Sequence, residues 1–298
     1  MRLAALVALA CVAAALPAAD PSPVTVPGAE QFDLTAKGGG EYRVFVAKPK
    51  GKAPPDGFPV VYLTDGNGNF PLLLTAVRRQ SAGGLAAVVV GVGYPTDDPA
   101  AHAARRTYDL TPPTDPEWLK AAAKGGPRLK AGGADAFLAF IEGEVKPAVE
   151  MRYPIDRARQ ALFGHSLGGL FALRVLFTRP ESFRTYVASS PSVWWNDRSV
   201  RADEKAFAER FAGKEVGARL LVTVGGWEQE PGPGVGKELA AVLREMRMVD
   251  DAKGIADRLG KAGVKGLAVA YREFPEEDHA SVLLPAAGRG VRFALESP

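Results

Sequence analysis

Residues 160–180 read QALFGHSLGGLFALRVLFTRP, and no other stretch limits the fold as tightly. An apolar strand end, Gln160–Phe163, runs into the glycine-flanked turn GHSLGG. LFALRVLF then follows with helical spacing until Pro180 stops it. A strand that turns sharply into a helix across G-x-S-x-G exposes the central hydroxyl, and only glycine lets helix and strand close up at that point. With 33 Gly in 298 residues the pattern alone carries little weight. Its place between a strand and a helix makes Ser166 a candidate nucleophile.

The flanking sequence repeats the same alternation. EYRVFVAKP (41–49) alternates as a half-buried strand, whereas FPVVYLTDG (58–66) and LAAVVVGVGY (85–94) are continuous apolar runs, as in buried parallel strands. Helices are expected over 72–83, 134–153, 235–248 and 250–262. Further strands are expected at TYVASSP (185–191), ARLLVTVGG (218–226) and GLAVAYREF (266–274), the last of the chain. Residues 20–30 read as an extended lead-in. The expectation is an α/β-hydrolase fold, a mostly parallel central sheet flanked by helices, in one domain over 20–298. Residues 95–133 stand apart. Pro95, Pro99, Pro112, Pro113, Pro116 and Pro127 argue against a long packed helix there. The segment is expected to be a lid or substrate segment crossing the mouth of the site, leaving a strand placed beside the one that bears Ser166.

Composition narrows the function classes. After Arg2, residues 3–16 form an apolar run that Pro17 ends, and small residues follow to Ala19. This is the pattern of a signal peptide over 1–19, and the run is shorter than the roughly 20 residues that span a bilayer. A periplasmic or secreted protein without stable membrane insertion is expected. Cys11, the one cysteine, lies inside that signal, so the mature chain has no disulfide, thiol nucleophile or cysteine metal site. The net charge of +3 comes without any Lys/Arg run, which argues against nucleic acid as a partner. No metal or other cofactor is expected.

A serine nucleophile needs a base, and the chain has three histidines. His165 adjoins Ser166 and is expected to project away from it. His102 precedes the serine, against the order Ser, acid, His of this fold. His279, in FPEEDHASV after the last strand, is the candidate base. The acid is expected in GGWEQEPGPG after LLVTV, where Glu228 comes first, Glu230 next, with Asp197 as a third option. Oxyanion donors are expected from the Leu167 N–H and, in the turn YLTDGNGNF, from the Asn67 N–H. Arg105, Arg106 and Tyr108 in the 95–133 segment could meet an anionic substrate, or the arginines could be a solvated surface pair. Trp194 and Trp195 could form an aromatic wall or belong to the core.

YLTDGNGNF, GHSLGGLFAL, SSPSVWW and FPEEDHASV together resemble the esterase D-like branch of the α/β-hydrolases. More narrowly the chain is similar to periplasmic siderophore esterases that linearise enterobactin-type trilactones, from about Glu41 to the end. The resemblance implies a serine esterase acting on a small-molecule ester, with Ser166 as nucleophile, His279 as base, Glu228 as acid, and Asn67 and Leu167 as oxyanion donors. Some members of that group work with a Ser-His pair alone. A carbohydrate-ester hydrolase or an acyltransferase of the same fold is the alternative within enzymes. An inactive hydrolase-fold binding protein is the alternative outside them, and a scaffold that bound only would need none of Ser166, His279 and the loop acid.

Overall fold

In the computed structural model, which describes residues 24–81, 83–123, 126 and 129–296, the apolar runs lie where burial on two faces is available. The signal segment, Cys11 and Pro127 lie outside the described residues. All residues of Phe58–Leu63 (β3) and Val88–Gly93 (β4) are buried. By contrast Ala29–Thr35 (β1), the edge strand, and Glu41–Ala47 (β2) beside it show partial exposure along their length. Ile155–His165 (β5), Thr185–Ser189 (β6), Glu215–Gly225 (β7) and Lys265–Phe274 (β8) complete one sheet in the order β1-β2-β4-β3-β5-β6-β7-β8. Pairings from β4 through β8 are parallel, and β1 and β2 add antiparallel pairs at one edge.

Helices cover both faces. Gly66–Ser81 (α1) packs Phe70, Leu73, Leu74 and Val77 on one face, against which the C-terminal helix also sets Ala287 and Val291. On the other face lie Ala134–Phe140 and Leu167–Thr178, with Phe137, Leu170, Phe171 and Leu173 in the larger core cluster. The latter helix, whose own buried residues are all apolar or glycine, is pressed into the sheet directly behind Ser166.

Three expectations are corrected here. The strand 85–94 is not adjacent to the strand bearing Ser166, because β3 lies between β4 and β5. Residues 95–133 do contain helices, Pro99–Leu110 (α2) and Pro116–Ala122 (α3). Each begins with proline just after an aspartate cap. Asp98 accepts from the Ala100 N–H at 2.9 Å, and Asp115 from the Glu117 N–H at 2.7 Å. Proline at the first helical position costs no hydrogen bond, so these prolines start helices rather than prevent them. Finally, part of the lead-in is strand β1, and α1 begins at Gly66, six residues before the predicted helix. The Gly/Asn-rich stretch is a helical first turn held by the Asp65 carbonyl, which accepts from the N–H groups of Gly68 and Asn69.

Candidate active site

Ser166 sits between β5 and the helix Leu167–Thr178 (α6 in chain order, after α4 at Ala134–Phe140 and α5 at Lys146–Glu150) with φ 61° and ψ −120°. This is left-handed backbone that non-glycine residues seldom adopt, and it turns the side chain out of the chain path. The glycines around it answer to steric need. A Cβ at Gly164 would collide with the Gly168 carbonyl, and one at Gly168 would collide with Thr64 Oγ1.

His279 arrives from the turn after β8. Its Nε2 stands 3.0 Å from Ser166 Oγ, and its Nδ1 stands 2.5 Å from Glu228 Oε2. With the imidazole proton on Nδ1, the ring donates to Glu228 and accepts from the Ser166 hydroxyl. Glu228 ends the short turn after β7 and is 1 % exposed. Its other oxygen, Oε1, accepts from the Gly225 N–H at 2.7 Å and from the Ser190 hydroxyl at 2.5 Å. A buried carboxylate with donors on both oxygens is held in one orientation. The two alternative acids stand elsewhere. Glu230 is exposed and pairs with Arg244 at 3.3 Å, and Asp197 is exposed in the short helical segment Trp195–Arg198 after β6. His102 lies edge-on to Tyr94, 5.1 Å between ring centroids, and makes no contact with Ser166.

The His165 side chain makes no hydrogen bond to Ser166; its ring lies 4.8 Å from that of His279, with Nδ1 3.1 Å from Ser189 Oγ. Burial, then the neighbouring His279 and the Arg106 cation, push its pKa down to about 3, so the ring stays neutral.

The N–H groups of Leu167 and Asn67 open α6 and α1, and neither has a backbone acceptor among the described residues. Asn67 is clamped by its side chain. Its Oδ1 accepts from the Tyr94 N–H and its Nδ2 donates to the Tyr94 carbonyl, both at 2.8 Å. One residue earlier than Gly66, Asp65 (φ 57°) takes Arg106 Nε at 2.6 Å, and Arg106 Nη2 reaches the His165 carbonyl at 3.3 Å. Arg106 is therefore neither a solvated surface charge nor an open cation. It ties the loop carrying Asn67 to the elbow carrying Ser166.

Arg105 donates to the Glu41 carbonyl at 2.5 Å and lies over the rings of Tyr42 and Tyr94, 4.8 and 4.6 Å from their centroids. It lines a cavity of about 870 Å³ with Tyr42, exposed Tyr108, Asp109 and Lys130. Of the two readings for the tryptophans the core reading fits the geometry. Trp195 is buried, with Nε1 donating to Thr114 Oγ1 at 2.9 Å, and Trp194 packs half-buried against the same cluster. Trp118 of α3 joins them, 4.7 Å from Trp195 and 6.3 Å from Trp194. Sequence reasoning passed over Asp65, Ser190 and Ser192. The signal available was polar residues directly at the ends of buried strands, where a core role is costly.

Residues 35–261 match the family model described as "Putative esterase". The chain is 36% identical over 277 residues to the ferri-bacillibactin esterase BesA of Bacillus subtilis, covering 91% of each. It is 39% identical over 296 residues to the siderophore triacetylfusarinine C esterase of Aspergillus fumigatus, covering 93% of this chain and 96% of that one. Among solved structures, the BES protein from Bacillus cereus superposes with a TM-score of 0.81 at 35% identity, over 94% of this chain and 100% of that one.

Proposed function

The chain belongs to this esterase family and is a carboxylic ester hydrolase, and from that premise we propose that it is a serine esterase cleaving siderophore-type trilactones through an acyl-enzyme. One observation carries the reading: the unbroken hydrogen-bond chain from Ser166 through His279 to Glu228. The Ser166 oxygen attacks an ester carbonyl while its proton passes to His279 Nε2. Glu228 stabilises the imidazolium without taking its proton. The carbonyl oxygen, now negative, accepts from the Leu167 and Asn67 N–H groups. Collapse of the tetrahedral intermediate breaks the ester C–O bond, and His279 returns the proton to the leaving alkoxide. Water repeats the sequence on the acyl-enzyme, releasing the acid and restoring Ser166.

The substrate class rests on the relatives, whose names specify siderophore esters. Residues 1–19 fit an export signal, which supports a periplasmic or secreted location; the N-terminal sequence of the exported protein tests this directly. For the activity, a macrocyclic trilactone siderophore and a p-nitrophenyl ester are incubated with wild type and Ser166→Ala. The wild type should open the ring to linear hydroxy acids and be labelled by a fluorophosphonate at Ser166. The variant should lose at least about 10³-fold in turnover and all labelling. Hydrolysis of the p-nitrophenyl ester without ring opening would keep the esterase and reject the substrate class.

A further inference from the structure

Four consecutive residues at the end of β6, Ser189-Ser190-Pro191-Ser192, contact Ser166 and Glu228 and, through His165, border His279. The Ser189 carbonyl accepts from the Ser166 N–H at 2.9 Å, and its hydroxyl meets His165, whose ring faces His279. The Ser192 N–H donates to the Ser166 carbonyl at 3.1 Å, and the two hydroxyl oxygens are 3.4 Å apart. Ser190 holds the acid, at 2.5 Å from Glu228 Oε1.

Ser190 is the unusual member. It is fully buried, and its φ of 44° lies in the left-handed region, where a side chain is unfavourable. Glycine would satisfy that backbone more easily, yet the position carries a hydroxyl. Its N–H is anchored to the Thr223 carbonyl at 2.7 Å, so the strained turn is fixed against β7, the strand that leads to Glu228. The last torsion of a glutamate is broad, and its carboxylate plane is set by the donors it meets. Here Gly225 and Ser190 together occupy Oε1, which leaves Oε2 directed at His279 Nδ1.

We propose that Ser190 is a positioning residue for ester hydrolysis, holding the Glu228 carboxylate in the plane that orients His279 toward Ser166. The proposal rests on the serine-esterase reading above. It makes the hydroxyl, not the backbone bend, the reason for the strained serine.

Two substitutions separate these roles. Ser190→Ala removes the hydroxyl and keeps the backbone strain, whereas Ser190→Gly removes the hydroxyl and relieves it. With a neutral p-nitrophenyl ester as probe, both should lower kcat roughly 10- to 100-fold, the scale of one hydrogen bond to a charged group, with KM within about 2-fold of wild type. Ser190→Gly should unfold at no lower temperature than Ser190→Ala. In a Glu228→Gln background, Ser190→Ala should cost no more than about a further 2-fold, because the two residues act as one unit. Wild-type kcat in Ser190→Gly would overturn the proposal, as would a full independent loss in the Glu228→Gln background. A wild type that neither hydrolyses the ester nor reacts with a fluorophosphonate would instead overturn the esterase reading beneath it.

Discussion

Asp65, Ser166 and Ser190 all have positive φ, and all three stand at the candidate site. Each is polar and lies at the carboxyl end of β3, β5 or β6, where the backbone must leave the sheet while presenting a side chain. His165 shows the electrostatic counterpart of this crowding. The unfolded chain binds a proton on it near the ordinary value of 6.5, whereas the folded protein resists doing so until about pH 3. The unfolded state therefore holds more protons across that window, and stability falls as pH drops through it. His165→Gln should flatten this loss. Denaturant-unfolding free energies at several pH values between 7 and 3 check it by comparison with wild type, and parallel curves would reject it. Ser166, His279 and Glu228 were legible in the sequence because each role comes with a position: the turn after a given strand, in a fixed order. The approach of His165 to His279, and the roles of Asp65 and Ser190, were unseen because their partners lie on other elements and only the sheet order brings them together.

At the scale of elements, α2 does what its sequence concealed. The prolines of residues 95–133 and the charged pair Arg105-Arg106 suggested a surface crossing open to substrate. The folded helix instead turns Arg106 inward, 22 % exposed, onto Asp65 and the His165 carbonyl. The guanidinium fork serves two acceptors on two loops, which a lysine cannot imitate. Arg106→Gln should therefore lower kcat by about 10-fold or more for neutral and anionic esters alike, through loss of the alignment between Asn67 and Ser166. Arg106→Lys should not restore it. The check is kcat and KM for one ester of each charge. A rise in KM confined to the anionic ester would return Arg106 to the role of a substrate contact. Helices α2 and α3 were hidden because a proline marks both a helix stop and a helix start, and the aspartate just before it decides which.

Over the whole molecule, the class of fold could be read from continuous apolar runs alternating with helical ones, but the order of strands could not. The runs that became β3 and β4 are apolar throughout and β5 has an apolar end, and nothing local records which of them lie side by side. That is why the segment leaving β4 was placed one strand too near Ser166. The same assembly has an optical consequence. Three of the four tryptophans, Trp118, Trp194 and Trp195, are gathered where α3 meets the loop after β6, while Trp227 follows β7 beside Glu228. Indoles this close share excitation, so their emission depends on how α3 is seated. Any substrate that displaces α3 should change the intrinsic fluorescence on binding, before any ester bond breaks. Trp118→Phe should abolish the change in a stopped-flow trace while Ser166→Ala preserves it, so that capture and chemistry become separable signals in an unlabelled protein.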